Sequence, residues 1–203
     1  MTFQRCRNTE YLPSFLLLAG LFFLSLLWGR HAALRVPQVK LAEVEAYLAE
    51  YVSLGRFPLP ETIISAFILY FRYPLIAFLL GFSSAGIILL PLTGAVFGFF
   101  LSFSVCCFTA VFGAKGVLLA LAVFGFRCLL TIPCFFLLAI PSMESAGALA
   151  AVWKRGRRAA PVIYGKEYWI RMVAVAVVLI FGVFLELIIS PRLLEAILER
   201  ILI

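Results

Sequence analysis

The chain of 203 residues contains no aspartate and one histidine, His31. Without aspartate, aspartyl dyads and aspartate-held magnesium sites are excluded. Hydrolysis at a serine or metal centre needs an activated nucleophile or a paired acid and base, and His31 falls in a loop with no plausible partner. No GxxxxGK[ST] loop is present, so nucleotide hydrolysis through that device is excluded too. Charge is equally scarce, and between Pro74 and Pro141 the only charged residues are Lys115 and Arg127. A soluble domain alternates buried and solvated faces every few residues, which so apolar a stretch does not do. The sequence is therefore read as a non-enzyme with no cofactor and no metal, dissolved in lipid.

What is present fits that solvent: 65% hydrophobic residues and a mean hydropathy of +1.12. The expected fold class is all-α, a polytopic bundle of about five transmembrane helices with short amphipathic interfacial helices, forming one integral membrane domain over residues 1–203. At ~20 residues per crossing of a ~30 Å hydrocarbon core, the spans fall near 11–28, 74–90, 94–112, 117–140 and 168–190. Pro74 is expected to kink the second span away from an interfacial lead-in that starts at residue 62. Pro91 and Gly94 supply the breakers for the next turn, and residues 113–116 for the one after, with Lys115 at the water surface. Cys106, Cys107, Cys128 and Cys134 lie in apolar segments without CxxC spacing and read as small reduced hydrophobes.

The formal charge of +7 does not point to nucleic acid, because its densest cluster, Lys154, Arg155, Arg157 and Arg158, sits between hydrophobic spans. Positive charge there sets orientation. The loop 142–167 is expected to be cytoplasmic, as is the N-terminus. The loop 29–61 and the tail 191–203, with the C-terminus, become extracytoplasmic. Both outer pieces carry apolar residues at helical spacing: Leu41, Val44, Leu48 and Tyr51 in the first, Leu194 and Leu198 in a tail helix opened by Pro191. Such helices either lie flat on the outer leaflet or dock a partner protein.

Arg127 falls near the middle of the fourth predicted span, where a charge costs at least ~2.5–3.5 kcal/mol on the insertion scale. Glu186, nearer the outer surface in the fifth predicted span, is the only acidic residue expected at membrane depth, and Arg72, at the outer mouth of the second span, competes for it. The pair is either an orientation lock between helices or part of a proton or ion pathway. Gly81 with Ala85, and Gly94 with Gly98, recur at four-residue spacing that lets helix backbones approach closely, within one bundle or between copies. Pro133 withholds an amide close to Arg127 and is expected to kink that helix.

The ordered set of these features resembles the stage II sporulation protein M family, small five-pass membrane proteins of endospore-forming bacteria. The resemblance runs through LLGFSSAG at Leu79 to Gly86, GAVFGF at Gly94 to Phe99, and the stretch from Gly113 to Ile140. It continues through the basic loop to ELIISP at Glu186 to Pro191, and the length and span count agree. The chain departs from the family pattern at Phe126 and Arg127, where a proline followed by polar amides is expected. The resemblance implies a non-catalytic scaffold that recruits and holds peptidoglycan-degrading enzymes, resembling stage II sporulation proteins D and P, at the mother-cell septal membrane during engulfment. The competing expectation is a small transporter or permease subunit built around Arg127 and Glu186.

Overall fold

In a computed structural model, residues 3–35, 60–155 and 165–202 are described, and the regular structure among them is entirely helical. Within hydrocarbon each amide must bond inside its own segment or pair in a closed barrel, so apolar runs of this length become helices. The elements are α1 (Phe3–Ala33), α2 (Pro60–Leu80), α3 (Gly86–Phe112), α4 (Ala114–Ala120), a π-helical stretch (Leu121–Gly125), α5 (Phe126–Arg155) and α6 (Lys166–Leu202). Five of these helices are long and apolar enough to cross a membrane, over Leu12–Ala33, Ile63–Leu80, Gly86–Ala110, Arg127–Val152 and Lys166–Ile188. The molecule is a multi-pass membrane protein.

The crossings differ in place from the expected ones. The second helix starts at Pro60 and ends at Leu80, with Pro74 in its interior, so it lies earlier in the chain than the expected span from Pro74 to Leu90. The turn that follows lies at residues 81–85, closed by the Gly81 amide donating to the Phe78 carbonyl at 3.2 Å and the Gly86 amide donating to the Ser83 carbonyl at 3.0 Å. Pro91 and Gly94 accordingly stand inside α3, where neither breaks the helix. The fourth crossing does not end at Ile140: α5 carries Pro133 and Pro141 in its interior and ends on Lys154 and Arg155, so much of the expected loop 142–167 is helix. Likewise α6 passes residue 191 without a break, and the tail is its continuation, not a second helix. Gln38 to Ser53, with its amphipathic stripe, and Arg157 and Arg158 lie outside the described residues.

Side-chain contacts fix the directions of the helices. The Tyr168 hydroxyl reaches both α2 and α5, and Gly182 abuts Tyr70 and Leu130, so α6 runs antiparallel to both. Gly86 meets Ala146 and Gly94 meets Phe135, which makes α3 antiparallel to α5. The end of the bundle holding residues 81–85 is called the turn face below, and the opposite end the far face. α5 is the axis: it packs against α1, α2, α3 and α6, and its Phe135, Leu138 and Ala139 are fully buried.

The outer surface is apolar, with Trp28 70%, Leu129 72% and Ile88 75% exposed, a surface that only lipid would solvate well. Lipid removes much of the hydrophobic drive between helices, so close packing has to replace it. The tightest case is α1 against α3. Leu18 lies by Gly94, Phe22 and Ser25 by Gly98, Gly29 by Phe99 and Phe103, and Ala33 by Cys107, so the two helices run parallel. A Cβ on Gly29 would stand 2.5 Å from the Phe99 carbonyl oxygen, and one on Gly98 would meet the Ser25 hydroxyl and lie 2.9 Å from the Phe22 carbonyl oxygen. Gly81 and Ala85 are part of the turn, where Gly81 faces Tyr168 and Ser142.

Candidate functional site

Arg72 lies deeper than expected, because α2 starts at Pro60 and carries it in its interior instead of at a mouth before Pro74. Arg127 follows helical residues from Ala114 onward, so it remains within the fourth helical run, and both arginines line one cleft.

Arg127 Nη2 donates to Glu186 Oε1, joining α5 to α6. The side chains are 19% and 12% exposed respectively, so the pair is largely desolvated. The guanidinium also lies over the ring of Tyr70 on α2, 5.7 Å from its centroid. Tyr70 is fully buried, and Gly182 makes its place: a Cβ there would be 3.0 Å from the ring edge. Arg72 does not take the Glu186 carboxylate. It donates to the Tyr73 hydroxyl at 2.7 Å and sits 4.7 Å from that ring's centroid, while Tyr73 stacks on Phe97 of α3 at 4.3 Å.

Around this pair, the buried Tyr70 hydroxyl stands beside the Glu186 carboxylate, while the buried Arg127 Nε and Thr131 Oγ1 have no hydrogen-bond partner among the described residues. Thr131 departs from the other helical hydroxyls here. Thr93, Thr109 and Ser145 each donate to the carbonyl four residues back, at 2.7, 2.9 and 2.9 Å, which is the usual way to satisfy such a group in an apolar helix. Thr131 does not, although it is only 2% exposed. A cleft of about 310 Å³ opens between α2, α3 and α5 beside it, with Arg72, Arg127, Thr131 and Ser104 among an otherwise mainly apolar and aromatic lining. The π-helical stretch ends at Gly125, two residues before Arg127, and contributes Phe124 to the cleft. Such a stretch frequently marks a functional position.

A second polar cluster closes the turn face, about 22 Å along α5 from Arg127 at 1.5 Å per residue. The Tyr168 hydroxyl donates to the Phe78 carbonyl at 2.9 Å and accepts from Ser142 Oγ at 3.0 Å. These bonds tie the start of α6 to α2 and α5. Tyr168→Phe is expected to lower stability by about 1–3 kcal/mol, since it strands the buried Ser142 hydroxyl. Thermal unfolding of the detergent-solubilised protein checks this, and an unchanged midpoint would show that the cluster holds nothing.

Of the residues singled out in the sequence, the fold joins Arg127 to Glu186, places Arg72 on the same cleft as Arg127, and puts Pro133 within α5. Leu41, Val44, Leu48 and Tyr51 lie outside the described residues. Leu194 and Leu198 stand on the helical backbone of α6 beyond Pro191. Tyr70, Thr131, Tyr168 and Ser142 were not singled out. Thr131 was within reach of a pattern argument, because it follows Arg127 by four residues and shares its face. The tyrosines were not, since their partners lie on other helices. No family model, curated protein or solved structure matches the chain.

Proposed function

We propose that the chain is a non-catalytic membrane scaffold whose α6 holds a partner protein on the far face. The supporting observation is that α6 continues as unbroken helix to Leu202, past Pro191 and through the charged residues that follow it. At 1.5 Å per residue, the turns after Pro191 extend it by about 16 Å. Along them the sequence sets Leu193, Leu194, Ile197, Leu198 and Ile201 at helical spacing among Arg192, Glu195, Glu199 and Arg200. An amphipathic helix rigidly continuous with a membrane anchor presents a fixed apolar stripe, as helix-in-groove recognition requires. In this reading the basic residues near 154–158 keep the turn face cytoplasmic, so the extension is extracytoplasmic. The resemblance to the stage II sporulation protein M family adds the partner class, peptidoglycan hydrolases at the septal membrane during engulfment.

The test is affinity purification of the tagged chain from sporulating cells after photo-crosslinking from position 198. Crosslinked wall hydrolases are expected, and Leu194→Glu with Leu198→Glu should reduce their recovery at least about tenfold, in line with loss of two interface anchors. Recovery of a transport ATPase, or of hydrolases undiminished by the double change, would overturn the proposal. A transporter is the second reading, favoured by the desolvated Arg127–Glu186 pair beside a cleft. It requires activity that depends on Glu186 and not on Leu194 or Leu198.

A further inference from the structure

We propose that the cleft between α2, α3 and α5 is a binding site for an anionic lipid, whose acidic head enters from the bilayer and is held by Arg72, Arg127 and Thr131. Charge is the first argument. Two guanidiniums line the cleft, and Glu186 offsets that of Arg127. Among the described residues Arg72 has no carboxylate; its hydrogen bond goes to the Tyr73 hydroxyl, which leaves one net positive charge in the interior of the membrane-crossing helix α2. A cation at that depth is costly without a counter-charge, and such residues commonly mark ligand paths.

Hydrogen-bond type is the second argument. Arg127 Nε is buried without an acceptor, and arginine carries donors only, so the group that completes it must be an acceptor. Thr131 Oγ1, one turn along α5 and also on the cleft wall, is buried without a partner as well. A phosphate or carboxylate oxygen supplies what both lack, and it gains the extra strength of a charge-assisted bond.

The walls decide the rest of the molecule. Phe97, Phe100, Leu101, Leu69 and Phe124 make the lining chiefly apolar. At its margin Leu69 is 40% and Phe100 52% exposed on the surface that faces lipid. A ligand arriving there comes from the bilayer. A volume of about 310 Å³ accommodates a headgroup and the first part of its chains, with the remainder continuing among the surrounding lipids. The site is independent of the α6 extension, so the scaffold reading stands or falls separately.

Native mass spectrometry of the full chain, delipidated in detergent and offered dioleoyl phosphatidic acid, dioleoyl phosphatidylcholine or inorganic phosphate, tests the assignment. Wild type is expected to retain the phosphatidic acid in preference to the neutral lipid. Arg72→Gln is expected to weaken retention about tenfold or more, as for a lost charge-assisted contact, with Arg72→Lys weakened less. Thr131→Val, which keeps the side-chain shape, should weaken it without moving the thermal midpoint downward. Equal retention of the two lipids would reduce the cleft to an apolar groove, and binding of inorganic phosphate alone would make it a site for soluble anions. Either result overturns the proposal, as does unchanged binding in both Arg72→Gln and Thr131→Val.

Discussion

Arg127→Leu is expected to destabilise the folded bundle by about 3–5 kcal/mol, the largest single effect anticipated here, because it abandons a buried carboxylate. Glu186 is 12% exposed, and besides Arg127 its carboxylate has the Tyr70 hydroxyl beside it, which carries no charge to replace the guanidinium. The change should leave membrane insertion intact, since it removes a charge from the fourth crossing, and act instead on the docking of α6 onto α5. The informative comparison is the double variant Arg127→Leu with Glu186→Leu. A buried ion pair replaced as a unit by apolar groups is often neutral or better, so the double variant should regain most of the loss. Thermal midpoints of the purified protein in detergent, followed by size-exclusion chromatography, read both effects. A single variant as stable as wild type would show that the pair carries no structural charge compensation.

Gly29→Ala and Gly20→Ala are expected to move stability in opposite directions although both add one methyl group to the same helix. At Gly29 the new carbon would lie 2.5 Å from the Phe99 carbonyl oxygen and 3.1 Å from the Phe103 amide nitrogen. Both are backbone atoms of α3, so relief requires the helices to separate along a contact that also includes Gly94 and Gly98. Overpacking of this kind costs about 1–3 kcal/mol. At Gly20 nothing lies within 4 Å of the added carbon. The helix preference of alanine, about 1 kcal/mol over glycine, then acts alone. The same thermal measurement checks the pair, and equal shifts would mean that the α1–α3 contact tolerates separation.

The number of crossings was legible because it depends on length and hydropathy alone, which the five apolar helices express directly. Their limits were not, and proline is the reason. Pro74, Pro91, Pro133 and Pro141 all lie within helices. In water proline's missing amide and its steric clash usually end a helix, but in a membrane neighbouring helices and local adjustments accommodate it. The turn at residues 81–85 falls instead on small residues, with the Ser83 hydroxyl accepting from the Ala85 amide at 3.3 Å. Misplacing that turn shifted the whole second crossing, and with it the depth of Arg72. The pairing of Arg127 with Glu186 was legible for a simple reason: few acidic residues occur at membrane depth. What Tyr70 contributes was hidden, because it depends on which residues of α5 and α6 meet α2.

The parallel contact of α1 with α3 bears on the order in which the molecule is made. Helices adjacent in a membrane chain run in opposite directions, so a parallel partner is never the next one synthesised. α1 packs on α3 and α5, and its contact with α3 is the most extensive between any two helices. It therefore enters the bilayer well before its main partner exists. Gly29, Ser25 and the groove they face are left to lipid until the ribosome has delivered the turn at 81–85 and the glycines beyond it. During that interval the machinery that receives membrane segments has to retain or release α1 before α3 reaches it. Late pairing of this kind raises the separation in sequence of the contacts that must form, which slows assembly and lengthens exposure of unpaired surface. Ribosome-stalled chains that end before and after α3 would time the event.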